Sequence, residues 1–362
     1  MKCVHCGNDA RYKDRQDGRC PGCRREFAFE PKQGALMTDA GFKAAIDAVS
    51  AGGRVRWGVE HLYYEVCRRK RRRLPAGCVW AFGAATLVVL GVAFAAGGGW
   101  WFAAVIATAI LLVMAAYRAA PPKTVRVSQA DFDRMWSRWQ AVQGKPEGLI
   151  VRPKQEARRR PAEPDLGDYS FDRAVICDRA RTVDLLLANN FHFENNCAVL
   201  SVNGYPAGPF ETVQAMLRRN PRLHVFALHD ATPEGCRLAH NLADDPRWFQ
   251  GHAAVTDVGL RPEHAGPFVG LLLPASARAE AGRGISPQEA DWLSQHALEL
   301  AAIRPEQVLK RLYRAINRKL EASEATDSGG GGDGGGDGGV DIDLGSFGDD
   351  AGDSDGGADG FG

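Results

Sequence analysis

Four cysteines open the chain in two matched pairs, Cys3-Val4-His5-Cys6 and Cys20-Pro21-Gly22-Cys23, with thirteen residues between them. Two such pairs on tight turns set four thiolates at the corners of a tetrahedron, the arrangement Zn²⁺ takes with sulfur at about 2.3 Å. Four thiolates leave no open coordination position, so the ion holds the fold and does not catalyse. Gly7 and Gly22 supply the open backbone that such turns need. Arg11-Tyr12 and Phe27-Ala28-Phe29 read as short strands behind each turn. A unit of about 30 residues cannot bury enough core alone, which makes the metal structural.

Residues 1–30 in this pattern resemble a zinc ribbon. A second set of reactive groups lies at the ends of apolar runs in the C-terminal half. The runs Ala174–Cys177, Ala198–Val202, Leu223–Leu228 and Ala253–Val258 alternate with helical stretches at Arg181–Asn190, Phe210–Arg219 and Pro233–Asn241. That alternation implies right-handed βαβ units and a parallel sheet, and helices over Pro287–Ile303 and Pro305–Leu320 close the domain. Ligands of open parallel sheets bind beyond the carboxyl ends of the strands. Those ends carry Cys177-Asp178, Asn203-Gly204-Tyr205-Pro206 and His229-Asp230-Ala231-Thr232-Pro233-Glu234-Gly235.

The order of these motifs resembles a Toprim domain, specifically that of the topoisomerase VI A subunit and its meiotic recombination relative. Gly204-Tyr205-Pro206 matches the turn after the second strand of that family. Asp230, Pro233 and Gly235 match the third-strand motif, and Asp257–Pro262 looks like the strand and loop that follow. The resemblance covers roughly 168–267, less than a third of the chain. It implies a Mg²⁺ site formed by a first-strand glutamate and two third-strand aspartates. Here Cys177 stands for the glutamate, with Asp178 beside it, and Thr232 stands for the second aspartate. Mg²⁺ demands oxygen ligands in near-octahedral array. The fold is therefore expected to be kept and the metal chemistry lost, with Asp178, Asp230 and Glu234 the carboxylates left to rebuild a site. The family also attacks DNA with a winged-helix tyrosine in a pattern like R-x-x-Y-Y. His61-Leu62-Tyr63-Tyr64 faintly resembles it without the arginine, so Tyr64 is the position of a nucleophile, while paired tyrosines beside a membrane also serve interfacial packing.

What must position these groups is set by a third stretch. The 44 positions from 74 to 117 hold no charged residue. A bilayer core takes about 20 apolar residues per helical crossing, so this stretch reads as two spans, 78–96 and 100–117, joined at Gly97-Gly98-Gly99. Trp100 and Trp101 fall at the interface tryptophan favours. Arg68-Arg69-Lys70-Arg71-Arg72-Arg73 precedes the hairpin, and Arg118, Lys123 and Arg126 follow it. Positive flanks stay cytoplasmic, which puts both termini in the cytosol and the chain in a bacterial inner membrane. No apolar leader opens the sequence, so the first span is expected to direct insertion. Nine cysteines in that compartment argue against a disulfide framework.

The chain is thus expected to be a multidomain α/β protein: a zinc ribbon at 1–30, a helical basic juxtamembrane region at 31–73, a transmembrane hairpin at 74–119, an amphipathic helix and linker at 120–165, a Toprim-like domain at 166–322 and a disordered Gly/Asp tail at 323–362. Region 31–73, with a helix capped by Thr38 and another from Val59, reads as a basic collar on anionic lipid or as part of a winged-helix-like module. The helix at 128–142, with Phe132, Met135, Trp136 and Trp139 on one face, lies on the membrane or packs on the C-terminal domain. A net charge of +1 hides basic membrane flanks and an acidic end. Arg11, Lys13, Arg15, Arg19, Arg24, Arg25 and Arg158-Arg159-Arg160 can meet phosphates, but the anionic leaflet and the acidic tail compete for them. Nucleic acid is expected to bind weakly, and a cytosolic protein is the expected partner. Two functions follow: a membrane-bound binding or scaffold module, or a divergent Mg²⁺-dependent phosphotransfer or DNA-cleaving enzyme.

Overall fold

A computed structural model describes residues 1–70, 127–151, 171–207, 210–220, 223–249 and 254–327. The predicted hairpin, the linker from 152 to 170 and the Gly/Asp tail beyond 327 lie outside the described residues. Among the described residues no helix is long and apolar enough to cross a membrane.

Three helices form the N-terminal body: α1 (Asp39–Val49), α2 (Val59–Arg69) and α3 (Gln129–Gln143). Thr38 caps α1 by accepting the Gly41 N–H at 3.1 Å, and Ser128 caps α3 through the Asp131 N–H at 3.1 Å. Phe42, Ile46 and Val49 of α1 meet Leu62, Tyr63 and Val66 of α2 and Phe132, Met135 and Trp139 of α3 in one core. Helix α3 therefore spends its aromatic face on this body, with Trp139 centred 4.9 Å from Phe42, and not on a membrane surface. Tyr63 and Tyr64 are likewise interior residues rather than interfacial ones. The linker predicted from Gly144 begins late: Trp57 pairs with the 148–150 backbone, accepting the Ile150 N–H at 2.9 Å and donating to Gly148 at 3.0 Å. This makes a three-helix unit with a short β-bridge between Trp57 and Leu149.

The uncharged stretch is inserted into this unit, between α2 and α3. The Tyr63 hydroxyl donates to the Val127 carbonyl at 2.9 Å, so the chain returns beside the helix from which it left.

The C-terminal half is built on a four-stranded parallel sheet of order β2-β1-β3-β4. Its strands are β1 (Arg173–Cys177), β2 (Cys197–Ser201), β3 (His224–Leu228) and β4 (Ala254–Asp257). Cys177 lies level with Ser201 and Leu228, which aligns the carboxyl ends. Strands β1 and β2 are buried on both faces, which explains their unbroken apolar sequence. Helix α4 (Ala180–Ala188) covers one face, and a short helix α5 (Phe191–Glu194) follows it. Helix α6 (Phe210–Arg219) covers the other face with Val213 and Leu217, packed on Ala174, Ile176, Val225 and Ala227.

The predicted helix after β3 is broken into α7 (Pro233–Cys236) and α8 (Leu238–Asp244). The stretch predicted as one helix over Pro287–Ile303 is α9 (Pro287–Leu293), then an extended piece and a turn of 3₁₀ helix at Leu300–Ala302. The cause is a tertiary pairing: Ala231 donates to the Leu298 carbonyl at 2.8 Å and accepts its N–H at 3.1 Å. Helix α10 (Pro305–Asp327) ends the described chain and runs past the expected start of the tail at 323. The core under α4, with Val175, Val199, Phe226, Leu312 and Ile316, is continuous with the core of the three-helix body.

Candidate functional site

The two cysteine turns are built alike. Cys3 donates to the Asn8 carbonyl and Cys20 to the Arg25 carbonyl, both at 2.9 Å. Gly7 donates back to Cys3 at 3.0 Å, and Arg24 back to Cys20 at 2.8 Å. The left-handed position of the first turn is Gly7, as expected, but in the second it is Arg24 at φ 61° and not Gly22. Gly22 matters for another reason, since a Cβ there would lie 2.8 Å from the Asn8 amide. The bridges Lys2–Asp9 and Arg19–Glu26 flank the turns, and Tyr12–Arg15 is a 3₁₀ turn where a strand was expected.

The four sulfurs lie within 4.8 Å of one another, with Cys3–Cys23 at 3.7 Å and Cys6–Cys20 at 3.6 Å. Ligands about 2.3 Å from a common tetrahedral centre are about 3.8 Å apart, whereas a disulfide brings sulfurs to about 2.05 Å. This cluster can hold a metal ion such as zinc. The Cys23 and Gly22 backbone N–H groups aim at the Cys20 sulfur and bring its thiol down to about 7. The unit is clamped to the three-helix body. The buried Asp39 carboxylate accepts the Ala28 N–H at 3.0 Å, the Phe29 N–H at 2.8 Å and the Gln143 amide at 3.1 Å. Of the basic residues that could meet phosphate, Arg15 is buried against Glu30 at 2.8 Å.

At the carboxyl end of the sheet, Asp178 follows β1 and His229-Asp230 follows β3. Asp230 is fully buried. One of its carboxylate oxygens accepts the Leu300 N–H at 2.7 Å, and the other accepts Arg179 at 3.2 Å and Arg181 at 3.1 Å. Its own N–H donates to Asp178 at 3.0 Å. Burial, then the charge of Asp230, push the Asp178 carboxyl up to about 6. The other Asp178 oxygen is buried with no hydrogen-bond partner. Thr232 caps α7 by accepting the Gly235 N–H at 3.1 Å, so a hydroxyl does helix-capping work at the position of the expected second aspartate. A Cβ on Gly235 would lie 2.2 Å from the Asp230 carbonyl, which fixes glycine there. Asp178, Arg179, Asn203, Thr232, Glu234 and Trp248 line a cleft of about 560 Å³, from which Asp230 is absent. Asp178 and Glu234 thus share the cleft, and Asp230 lies beneath it.

Tyr64 is buried, and its hydroxyl donates to Glu299 at 3.0 Å. Glu299 pairs with Arg181 at 2.9 Å, so Tyr64 connects to Asp230 through two intervening side chains and does not reach the cleft. Burial and the Glu299 charge hold its phenol well above the usual range, the reverse of what a nucleophile needs.

The sequence reading missed a second network below the cleft. The His229 ring faces the Asp230 carbonyl and the Asp257 carboxylate, both at 2.9 Å. Both partners are acceptors, an arrangement that favours the doubly protonated ring. Burial opposes that charge, but the bond to Asp257 outweighs it and raises the ring. Asp257 also accepts Arg261 at 2.7 Å, and Arg261 reaches Glu289 at 2.9 Å. Burial works to raise the Asp257 carboxyl, yet His229 and Arg261 hold it well below the usual range. Arg179 and Arg181 were missed too, although one signal pointed to them. Basic residues at a helix start oppose the helix dipole, so two of them there imply a nearby acid. No protein-family model, curated protein or solved structure matches this chain.

Proposed function

We propose that the protein is a membrane-attached binding module of a bacterial inner membrane, with both termini in the cytosol. In this reading residues 74–119 span the bilayer twice, the cysteine unit is a zinc ribbon with a structural Zn²⁺, and the parallel domain is a Toprim-like fold whose metal chemistry has lapsed. The observation that carries it is the bonding of Asp230. Its oxygens are taken by Arg179, Arg181 and the Leu300 N–H, so the acid is neutralised from within the chain. A divalent cation would have to displace two guanidinium groups and would gain one oxygen in return. The cleft above offers Asp178, Arg179, Asn203 and Glu234, a mixed-charge lining suited to a polar cytosolic partner. Nucleic acid is a weak partner in this reading, since Arg15 is internally paired and the other arginines of the ribbon lie near an anionic leaflet.

The second reading, a divergent Mg²⁺-dependent phosphotransfer or DNA-cleaving enzyme, is favoured by one observation, the unpartnered Asp178 oxygen beside an open cleft. Calorimetric titration of the full chain in neutral detergent with Mg²⁺ separates the two. The binding-module reading expects no saturable heat. Saturable binding that Asp178→Asn abolishes would establish the enzyme reading instead.

A further inference from the structure

Helix α2 ends on three guanidinium groups gathered around one acid. Glu65 is 2 % exposed, and Arg68 meets it at 2.5 Å, Arg69 at 3.2 Å and Arg304, from the start of α10, at 3.2 Å. Among the described residues every ion pair of these three arginines ends on Glu65, which leaves the group two positive charges in excess. Burial draws the Glu65 carboxyl up, but Arg68 and Arg304 outweigh it and keep it ionised. Burial, and repulsion from Arg304 and Arg69, depress the Arg68 guanidinium. Two bonds fix the geometry further: Arg68 donates to the Ala302 carbonyl at 2.6 Å and Arg69 to the Ala44 carbonyl at 3.1 Å. The three side chains are nonetheless 28 % to 30 % exposed. A guanidinium carries five N–H groups in a fixed fork, and these bonds use Nη1 and Nη2 of Arg68 and Nε and Nη2 of Arg69 and Arg304, which leaves Nε of Arg68 and Nη1 of the other two for a ligand.

The position of this group selects its ligand. Arg69 is the last residue of α2, Lys70-Arg71-Arg72-Arg73 follows, and the uncharged stretch begins at Leu74. Val127, where the chain returns, is held against Tyr63, nearly two turns back on the same helix. In the membrane-spanning reading, the cluster thus lies close in sequence to the point where the chain enters the bilayer. Resting on the membrane-spanning reading above, we propose that Arg68, Arg69 and Arg304 form a preorganised site for the phosphate of an anionic lipid headgroup. Unlike the flanking basic run, which attracts anionic lipid by charge alone, this site fixes three forks on a buried acid. Planar, bidentate phosphate recognition by arginine has that form.

The test uses the full chain in neutral detergent, titrated by thermophoresis with dihexanoyl phosphatidylglycerol, dihexanoyl phosphatidylcholine, inorganic phosphate and a short DNA duplex at physiological salt. Saturable binding of the phosphatidylglycerol is expected, tighter than inorganic phosphate and absent for the phosphatidylcholine. The double variant Arg69→Gln/Arg304→Gln should weaken it by roughly tenfold or more, since each basic group at a membrane surface contributes a several-fold effect. Arg69→Lys/Arg304→Lys keeps the charge but loses the forks, and it should recover only part of the affinity. Each variant is compared at matched thermal stability, and Arg54→Gln, on an exposed arginine elsewhere, serves as the folded control. Headgroup-blind binding, or full recovery by lysine, would overturn the proposal. Tighter binding of the duplex would move the site to nucleic acid. If the membrane-spanning reading itself were wrong, alkaline carbonate would strip the chain from membranes, a result independent of these titrations.

Discussion

The cysteine cluster and the carboxyl end of the sheet are both groups of potential ligands, and they differ in what faces them. In the cluster, four sulfurs converge on one another, and among the described residues their side-chain partners are one another. At the sheet end, Asp230 is buried against two arginines, and its neighbour Asp178 is pushed up to about 6. A set of acids becomes a cation site only when the chain leaves it uncompensated. The first site can take an ion from outside, and in the second the buried Asp230 is already compensated by the chain's own arginines.

The strongest way to break this contrast is to remove the first site. Replacing Cys3, Cys6, Cys20 and Cys23 by serine should abolish one bound metal ion per chain by elemental analysis. Structural Zn²⁺ contributes about 10 kcal/mol or more to such small units, so residues 1–30 should become protease-sensitive, while the parallel domain, with its own sheet and two-sided core, keeps its unfolding transition. Metal retained by that variant would place the ligands elsewhere and cancel the comparison.

The second site should respond in the opposite way, through stability and not through metal. Asp230→Asn leaves Arg179 and Arg181 without their shared carboxylate. Breaking a buried pair from one side costs about 3–5 kcal/mol, and the lower end applies because Arg179 is half exposed and Arg181 keeps Glu299; the loss is read as a shift in denaturation midpoint of the full chain. A change in metal content without loss of stability would mean that the carboxylate serves an ion after all.

A smaller effect tests whether the network under the cleft is as rigid as its bonds imply. A Cβ on Gly259 would lie 2.3 Å from the His229 ring, which is tied at both nitrogens and cannot swing away. Gly259→Ala should therefore cost about 3 kcal/mol, the upper part of the range for overpacking. A neutral result would show that His229 is free to move. The pair also limits the pH range of the fold. The share due to Asp257, whose carboxyl is depressed, is lost as pH falls through its folded value. The share due to His229, whose ring is raised, is lost as pH rises past its own.

Much of this contrast was legible in the sequence, for local reasons. Two Cys-x-x-Cys turns need only their own backbone, and the four apolar runs fall in the sheet within a residue or two of their expected bounds. What escaped depends on tertiary partners. Thr232 reads as a lost ligand until α7 is seen to need a cap, and the helix expected over Pro287–Ile303 gives way because Leu298 pairs with Ala231. Tyr64 reads as a nucleophile or an interfacial ring by spacing, and only the continuous core shows it buried against Glu299. The transmembrane and tail readings fall outside the described residues and rest on composition.

The finest discrimination is at Asp178, where the two readings of the sheet end predict opposite signs. An unfolded aspartate titrates at about 3.9, and in the fold this one is pushed up to about 6 by burial and by Asp230. The folded chain then binds the proton more tightly than the unfolded chain. Its contribution to stability is favourable below about pH 4 and is lost as pH rises through about 6. At pH 7 the ionised side chain costs the fold on the order of 2 kcal/mol. Asp178→Asn keeps an oxygen for the Asp230 N–H and removes the charge. It should therefore raise the full chain's stability at pH 7 by about 1–2 kcal/mol, with the gain shrinking towards zero at pH 4. Denaturant titrations followed by tryptophan fluorescence at both pH values measure it. A loss at pH 7 in the presence of Mg²⁺, reversed by a chelator, would mean that the ionised carboxylate is being held by a cation and that the second site is open like the first.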